Sequence, residues 1–274
     1  MTRPDLTEVA TYCRRVGVGI ERVWENVLDW EHLPWLHRSS FASIDLIEMR
    51  GDGWRARIGL QSGAESQFAE IDLRTERERR RYLTATVAGV GAGTEIWTAL
   101  DPVAARETAV AVRFCLPDVA PEHITPMGDF YRALYARLWD EDEAMMLRRD
   151  QLSGRPRARA AAAALDLDLG SRRDVLDRAP FVVELGGRSY RVVAVDGEIM
   201  AHACVCPHAL GPLDEGELNG ACVRCPWHGY EFDIRDGRRV DGAASRGNGG
   251  GDLRLGPIPT VAIEGEMVYL RVGG

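Results

Sequence analysis

Two stretches of this chain carry side chains that could hold a metal. The first runs from Cys206 to His228, CPHALGPLDEGELNGACVRCPWH, with Cys206-x-His208 and, after sixteen intervening residues, Cys225-x2-His228. A thiolate brings negative charge to a metal. A neutral imidazole brings none and keeps its far ring nitrogen available for a hydrogen bond. Pro207 and Pro226 fix φ and stiffen the tips of the two loops, while Gly211 and Gly229 let backbone approach closely. Cys204 and Cys222 lie in the same stretch, so Cys204-x-Cys206 with Cys222-x2-Cys225 also fits a four-thiolate zinc site. That alternative gives His208 and His228 no part. Cys204 and Cys222 read more simply as small buried residues beneath the loops.

The second stretch is Glu25-Asn26-x2-Asp29-x2-His32-x4-His37. Of six histidines, four fall into these two patterns, whereas His123 and His202 fit neither. Two imidazoles and one carboxylate on one face of an ion leave positions open for O2. The carboxylate must come from elsewhere, and the richest source is Trp139-Asp140-Glu141-Asp142-Glu143-Ala144-Met145-Met146. On a helical wheel Phe130, Leu134, Leu138 and Met145 mark one face, which Tyr131, Tyr135 and Met146 widen. Glu141 lies near the middle of the first set, Asp142 within the second, and Asp140 points away.

The paired Cys–His spacing resembles the Rieske motif. That resemblance implies a [2Fe-2S] cluster, with Cys206 and Cys225 on one iron and His208 and His228 on the other. Gly211, Trp227 and Tyr230 stand where high-potential respiratory members carry two cysteines and a serine, which implies a low potential. The second stretch resembles the mononuclear iron motif of Rieske non-heme iron oxygenases. It implies His32 and His37 as ligands of Fe(II), Asp29 as the bridge from the cluster, and Asp142 as the third ligand with Glu141 in reserve.

The function so implied is a terminal oxygenase that hydroxylates, dihydroxylates or demethylates an apolar small molecule with O2. Its electrons would come from a flavin-dependent NAD(P)H reductase, directly or through a ferredoxin, and its assembly would be a homotrimer. The rival is an electron carrier or redox sensor fused to a ligand-binding domain without catalytic iron. Two departures from the family pattern are visible: the cluster domain comes second rather than first, and the catalytic domain is short.

These residues need elements to position them. At 274 residues and 45% hydrophobic content, the chain is long enough for two globular domains. A strand-like run over Glu8–Gly19 precedes a helix from about Ile20, broken near Pro34. Six β-type runs follow, near Ser43–Met49, Trp54–Leu60, Gln67–Leu73, Tyr82–Val87, Thr94–Leu100 and Thr108–Phe114. A long helix spans about Pro126–Gln151. This order resembles the helix-grip fold of START-like domains, so the expected class is α+β: an antiparallel sheet gripping a long helix, then an all-β Rieske domain. The boundaries read 1–152 for the catalytic domain, 153–170 for a linker with a short helix through Ala160–Leu167, and 171–274 for the Rieske domain. In the last, Phe181–Leu185, Ser189–Val195, Glu198–Ala203, Tyr230–Asp233 and Thr260–Val272 read as strands, and Gly242–Leu255 as a Gly-rich loop.

Composition excludes some classes. The net charge is −8, which argues against nucleic-acid binding. All 34 basic residues are arginine, so lysine chemistry is absent. No apolar run is long enough to span a membrane, and MTRPDLTEVA lacks a signal-peptide core, so a cytoplasmic protein is expected.

Overall fold

The computed structural model describes residues 5–61, 67–154, 165–241 and 253–273. It divides into two compact units, Met1–Asp150 and Gln151–Gly274. The first contains β1 (Leu6–Val16), α1 (Ile20–Leu28), a 3-10 turn (Trp30–His32) and α2 (Leu33–Leu36). Then come β2 (Phe41–Arg50), β3 (Gly53–Leu60), β4 (Phe68–Glu76), β5 (Arg81–Gly89), β6 (Glu95–Ala104), β7 (Glu107–Pro117) and α3 (Pro121–Ser153). The strands form one antiparallel sheet in the order β1-β7-β6-β5-β4-β3-β2. Sequential hairpins build the meander, and β1 closes onto β7.

Alternation puts Val110, Val112 and Phe114 of β7 on the inner face, where they pack with Val23 and Trp24 of α1 and Trp139 and Met146 of α3. Phe114 stacks on Tyr131 at 5.2 Å between ring centres and meets Tyr135 edge-on at 4.8 Å, which seats α3 against the sheet. The fold is α+β with a large antiparallel sheet around a long helix, as expected for a helix-grip unit.

Two details of this unit differ from the sequence expectation. α3 starts at Pro121, so Pro126 lies inside it; Pro121 occupies the first helical position, where its missing N–H costs nothing. The first helix breaks at Asp29, whose φ −85° and ψ 80° leave the helical region, and Pro34 instead lies in the first turn of α2.

The second unit contains β8 (Leu165–Ser171), α4 (Arg172–Arg178), β9 (Phe181–Leu185), β10 (Arg188–Val195) and β11 (Glu198–Ala203). It continues with β12 (Glu217–Asn219), β13 (Cys222–Arg224), β14 (Glu231–Asp233), β15 (Thr260–Glu264) and β16 (Met267–Val272). Among the described residues the strands form three three-stranded sheets, β11-β10-β9, β12-β13-β14 and β15-β16-β8. Tyr190, Val192, Ile199, Ala201, Val268 and Leu270 make a common core for the first and third.

Three expectations are corrected here. The linker does not extend to 170, because Leu165, Leu167 and Leu169 alternate with Asp166 and Asp168 in a strand that pairs with β16. This strand also excludes helix at Leu165–Leu167; residues 155–164, the rest of the expected helix, lie outside the described residues, as do 242–252 of the Gly-rich loop. The unit is not wholly β, since Ser171 caps α4 by accepting from the Asp174 N–H at 3.2 Å. Finally, Thr260–Val272 is a hairpin rather than one strand, because Gly265 turns the chain with φ 64°.

Two candidate metal centres

The loops carrying the two Cys–His pairs fold alike. In the first, the Cys206 N–H donates to the Gly211 carbonyl at 2.9 Å, and the Leu210 N–H donates back to the Cys206 carbonyl at 3.1 Å. In the second, the Cys225 N–H donates to the Tyr230 carbonyl at 2.8 Å, and the Gly229 N–H to the Cys225 carbonyl at 2.9 Å. Each loop turns through a left-handed residue four positions after its cysteine: Leu210 at φ 62° and Gly229 at φ 69°. Two copies of one turn therefore present cysteine and histidine towards each other. The rings of His208 and His228 stand perpendicular, 4.7 Å apart.

Cys206 and Cys225 are both buried and lie within hydrogen-bonding reach of each other. The hydrogen bond from Cys206, aided by one from His228, lowers the Cys225 thiol to about 5, while its role as donor, with burial, drives the Cys206 thiol up. Two thiols so placed cannot both ionise without a cation between them. Gly211 makes the approach possible, since a Cβ there would fall 2.6 Å from Cys225 Sγ. Tyr230 lies over His208 at 4.3 Å between ring centres, and the Arg239 guanidinium covers the other part of the Tyr230 ring at 3.9 Å. Nothing in the sequence pattern singled out Arg239. Cys204 is buried and Cys222 half-buried, neither being needed for this arrangement.

In the first unit, the break at Asp29 and the turn that follows bring His32 and His37 to one side. Trp54 Nε1 donates to the Val27 carbonyl at 3.1 Å and pins the end of α1 to β3. The His37 carbonyl accepts from the N–H groups of Ser40 and Phe41, at 2.8 and 3.0 Å, which ties α2 to β2. Both rings are buried, 5.1 Å apart. Asp142 Oδ1 stands 3.4 Å from His32 Nε2 and 3.2 Å from His37 Nε2. The three side chains offer ligand atoms all within 4.8 Å of one another. Neighbouring ligands on an octahedral ion with bonds of about 2.1 Å lie about 3 Å apart, so the spacing suits one small cation.

Burial raises the Asp142 carboxyl, but hydrogen bonds and charge from His32 and His37 outweigh it and leave the group well below the usual carboxylate range. Burial lowers His37, and Asp142 and Glu141 outweigh that in turn, so His37 is raised overall.

The acidic run is therefore not a solvated face. Asp142 meets both Nε2 atoms, while Glu141 Oε2 meets His37 Nδ1 at 2.6 Å. Asp140 accepts from Arg14 at 2.9 Å, and Glu143 accepts from Arg14 and, at 2.8 Å, from the Gly17 N–H. A carboxylate on the far nitrogen of a metal-binding imidazole fixes the ring and its tautomer. Glu141 is so placed, not among the three converging atoms. Asp29 Oδ1 lies on the other side of His32, 4.0 Å from Nδ1.

These residues help to line a cavity of about 320 Å³ between the sheet and α3. Its walls are largely apolar, with Trp54, Ile71, Leu73, Tyr135 and Trp139 among them. His202 lies outside both centres, buried, with Nδ1 3.0 Å from the Ala203 carbonyl; burial lowers it to about 4, so it is neutral.

Comparison with known proteins bears on the second unit. Residues 167–254 match the model of the Rieske [2Fe-2S] domain. The ferredoxin component of the p-cumate 2,3-dioxygenase system of Pseudomonas putida is 33% identical over 88 residues, which cover 32% of this chain and 68% of that protein. The chain belongs to the Rieske [2Fe-2S] family. The Rieske match extends to apoptosis-inducing factor 3 of mouse and human, at 40% identity over 76 residues. There the chain spans 28% of its own length but only 11% of the relatives'. Among solved structures, a START superfamily protein from Mycobacterium smegmatis aligns at 16% identity with a TM-score of 0.39, over 52% of this chain and 97% of that one.

A Rieske [2Fe-2S] cluster suits what the second unit presents. The thiol pair that resists double ionisation and the perpendicular imidazole pair are the donor set such a cluster requires.

Proposed function

We propose that the chain is the terminal component of an oxygenase system. Cys206, Cys225, His208 and His228 hold the [2Fe-2S] cluster, and His32, His37 and Asp142 hold a mononuclear Fe(II). The single observation that supports this reading is the meeting of His32 Nε2, His37 Nε2 and Asp142 Oδ1 on the wall of a largely apolar cavity. When bound, the cluster supplies electrons one at a time and the Fe(II) supplies activation of O2. The rest is done by the chain. Glu141 holds the tautomer of His37 by accepting from Nδ1. Asp29, beside Nδ1 of His32, is the bridge for electrons. The apolar wall excludes water and orients a small apolar substrate for hydroxylation, dihydroxylation or demethylation. A flavin-dependent NAD(P)H reductase, with or without a ferredoxin, is the proposed electron source.

Iron content tests the reading. Anaerobically purified protein should hold three irons per chain, and Asp142→Ala should hold two while keeping the Rieske EPR signal of the reduced state. A second reading is favoured by the relative of greatest shared length named above, itself a ferredoxin component. A carrier fused to a ligand-binding domain would hold two irons in the parent chain, and Asp142→Ala would change nothing.

A further inference from the structure

Few charged or hydroxyl-bearing side chains line the cavity of the first unit. Asp29, His32, His37 and Asp142 are those already placed at the candidate iron site. The others are hydroxyls. Tyr82, Thr84 and Thr86 occupy alternate positions of β5 and so share one face of it, while Tyr131 and Tyr135 lie one turn apart on α3. None of the described residues that line the cavity is an arginine, although the chain has 34 basic residues, all of them arginine.

Tyr135 differs from its neighbour. The Tyr131 hydroxyl bonds Thr94, in the turn before β6. The Tyr135 ring is held edge-on against Phe114 at 4.8 Å between centres, which fixes where its hydroxyl lies. Tyr82, Tyr131 and Asp142 are near enough for their charges to act on that hydroxyl, but none of the described residues bonds it. Burial, and then those charges, push it well above the ordinary phenol value, so it keeps its proton at any physiological pH. The cavity wall thus holds an enclosed donor with no protein acceptor. An occupant that displaces water from this donor and offers no acceptor leaves the proton unpaired, which disfavours a plain hydrocarbon there. An anionic occupant is disfavoured too, because no guanidinium faces it and Asp142 adds like charge.

We propose that the cavity takes a neutral, largely apolar molecule bearing an acceptor oxygen, and that the Tyr135 hydroxyl donates to that oxygen. Calling this molecule a substrate rests on the oxygenase reading; its recognition by Tyr135 does not. Tyr135 then selects among apolar molecules by what they carry rather than by hydrophobicity alone.

Binding tests this without turnover. Calorimetric titration of the full-length metal-loaded chain with 1-tetralone and with tetralin compares a ketone with the hydrocarbon in which CH2 replaces C=O. Tyr135→Phe keeps the ring against Phe114 and removes only the hydroxyl. It should weaken tetralone about tenfold and leave tetralin unchanged. The carbonyl stretch of bound tetralone should lie below its position in hexane in the parent chain, and return towards that position in Tyr135→Phe. The first of these needs no variant, so it reads the hydrogen bond whether or not the variant folds. 1-Naphthoate, a carboxylate on a two-ring frame, should bind the parent chain more weakly than tetralone. Equal effects of Tyr135→Phe on tetralone and tetralin, an unshifted carbonyl band in the parent chain, tighter binding of naphthoate, or no binding of tetralone at all overturns the proposal. The iron count is independent of these titrations. Two irons with the Tyr135 dependence intact would refute only the oxygenase reading; three irons without it would refute only the role of Tyr135.

Discussion

Glu141 and Asp142 are neighbours in the chain and yet serve opposite sides of one imidazole. Successive helical residues point about 100° apart, so Asp142 reaches both Nε2 atoms and Glu141 reaches His37 Nδ1. Their replacements should therefore differ. Asp142→Ala should abolish the mononuclear iron, whereas Glu141→Gln should keep it with affinity lowered about 10–100-fold, measured by competition with a chelator. Asp29→Asn should leave both centres loaded and the cluster reducible by dithionite, while steady turnover falls by on the order of 10²-fold.

A pH dependence follows from the same residues. The raised His37 contributes stability below its ordinary value of 6.5 and loses it as pH climbs through the raised value; the depressed Asp142 contributes above 3.8 and loses it only in strong acid. Chelated protein should accordingly lose thermal stability as pH rises above neutral. Iron, which needs neutral imidazole, should bind more tightly over the same range. A thermal scan from pH 6 to pH 9, with and without chelator, checks both signs. At the cluster, the Arg239 guanidinium lies on the Tyr230 ring, which in turn covers His208, and Asp241 pairs with it at 2.6 Å. Arg239→Leu removes the cation and leaves the Asp241 carboxylate unpaired, so it should lower the midpoint potential by tens of mV, on the order expected for one partly screened charge.

At the scale of elements, each centre depends on a short turn held to a longer strand or helix. The two cluster loops share one hydrogen-bond pattern, but the second uses Gly229 at the left-handed position and the first uses Leu210. That conformation costs a non-glycine residue about 1–2 kcal/mol, offset here by the two loop hydrogen bonds. Gly211 has no such latitude. A methyl group there would press on Cys225 Sγ, so Gly211→Ala should lose the cluster's colour and EPR signal while far-UV circular dichroism is retained. In the first unit, α2 is only four residues long and owes its place to the bonds from its C-terminal carbonyl into β2. Such a turn is not stable alone; the sheet keeps His37 where Asp142 can meet it.

At the scale of the whole molecule, one core among the described residues is built around Phe114 and Trp139 and another, from a separate stretch of chain, around Tyr190 and Leu270. Separate cores are the condition for separate cooperative transitions. Calorimetry should show two transitions, with Asp142→Ala shifting one and Cys225→Ser the other. A single transition that responds equally to both would mean that the units are thermodynamically one. The homotrimer is a separate proposal: sedimentation should give three chains per particle, and specific activity should fall on dilution below its dissociation constant.

The two Cys–His pairs were legible from sequence because each is local: a cysteine and a histidine two or three residues apart ride on one turn, whatever surrounds it. The strands of the sheet were legible for a similar reason, through alternation over a few residues. His32 and His37 could be paired by spacing. Their carboxylate could not be chosen by spacing, because it lies more than a hundred residues away and the helical wheel admitted both Glu141 and Asp142. Only packing of α3 against the sheet set its rotation and gave the two acids different nitrogens. β8 was hidden by its neighbourhood, since the alternation of Leu165, Leu167 and Leu169 follows directly on an Ala-rich run that reads as linker. That these residues line one cavity was beyond any local pattern. Its walls come from α1, α3 and five strands at once, and burial is a property of their joint packing rather than of any one residue's type.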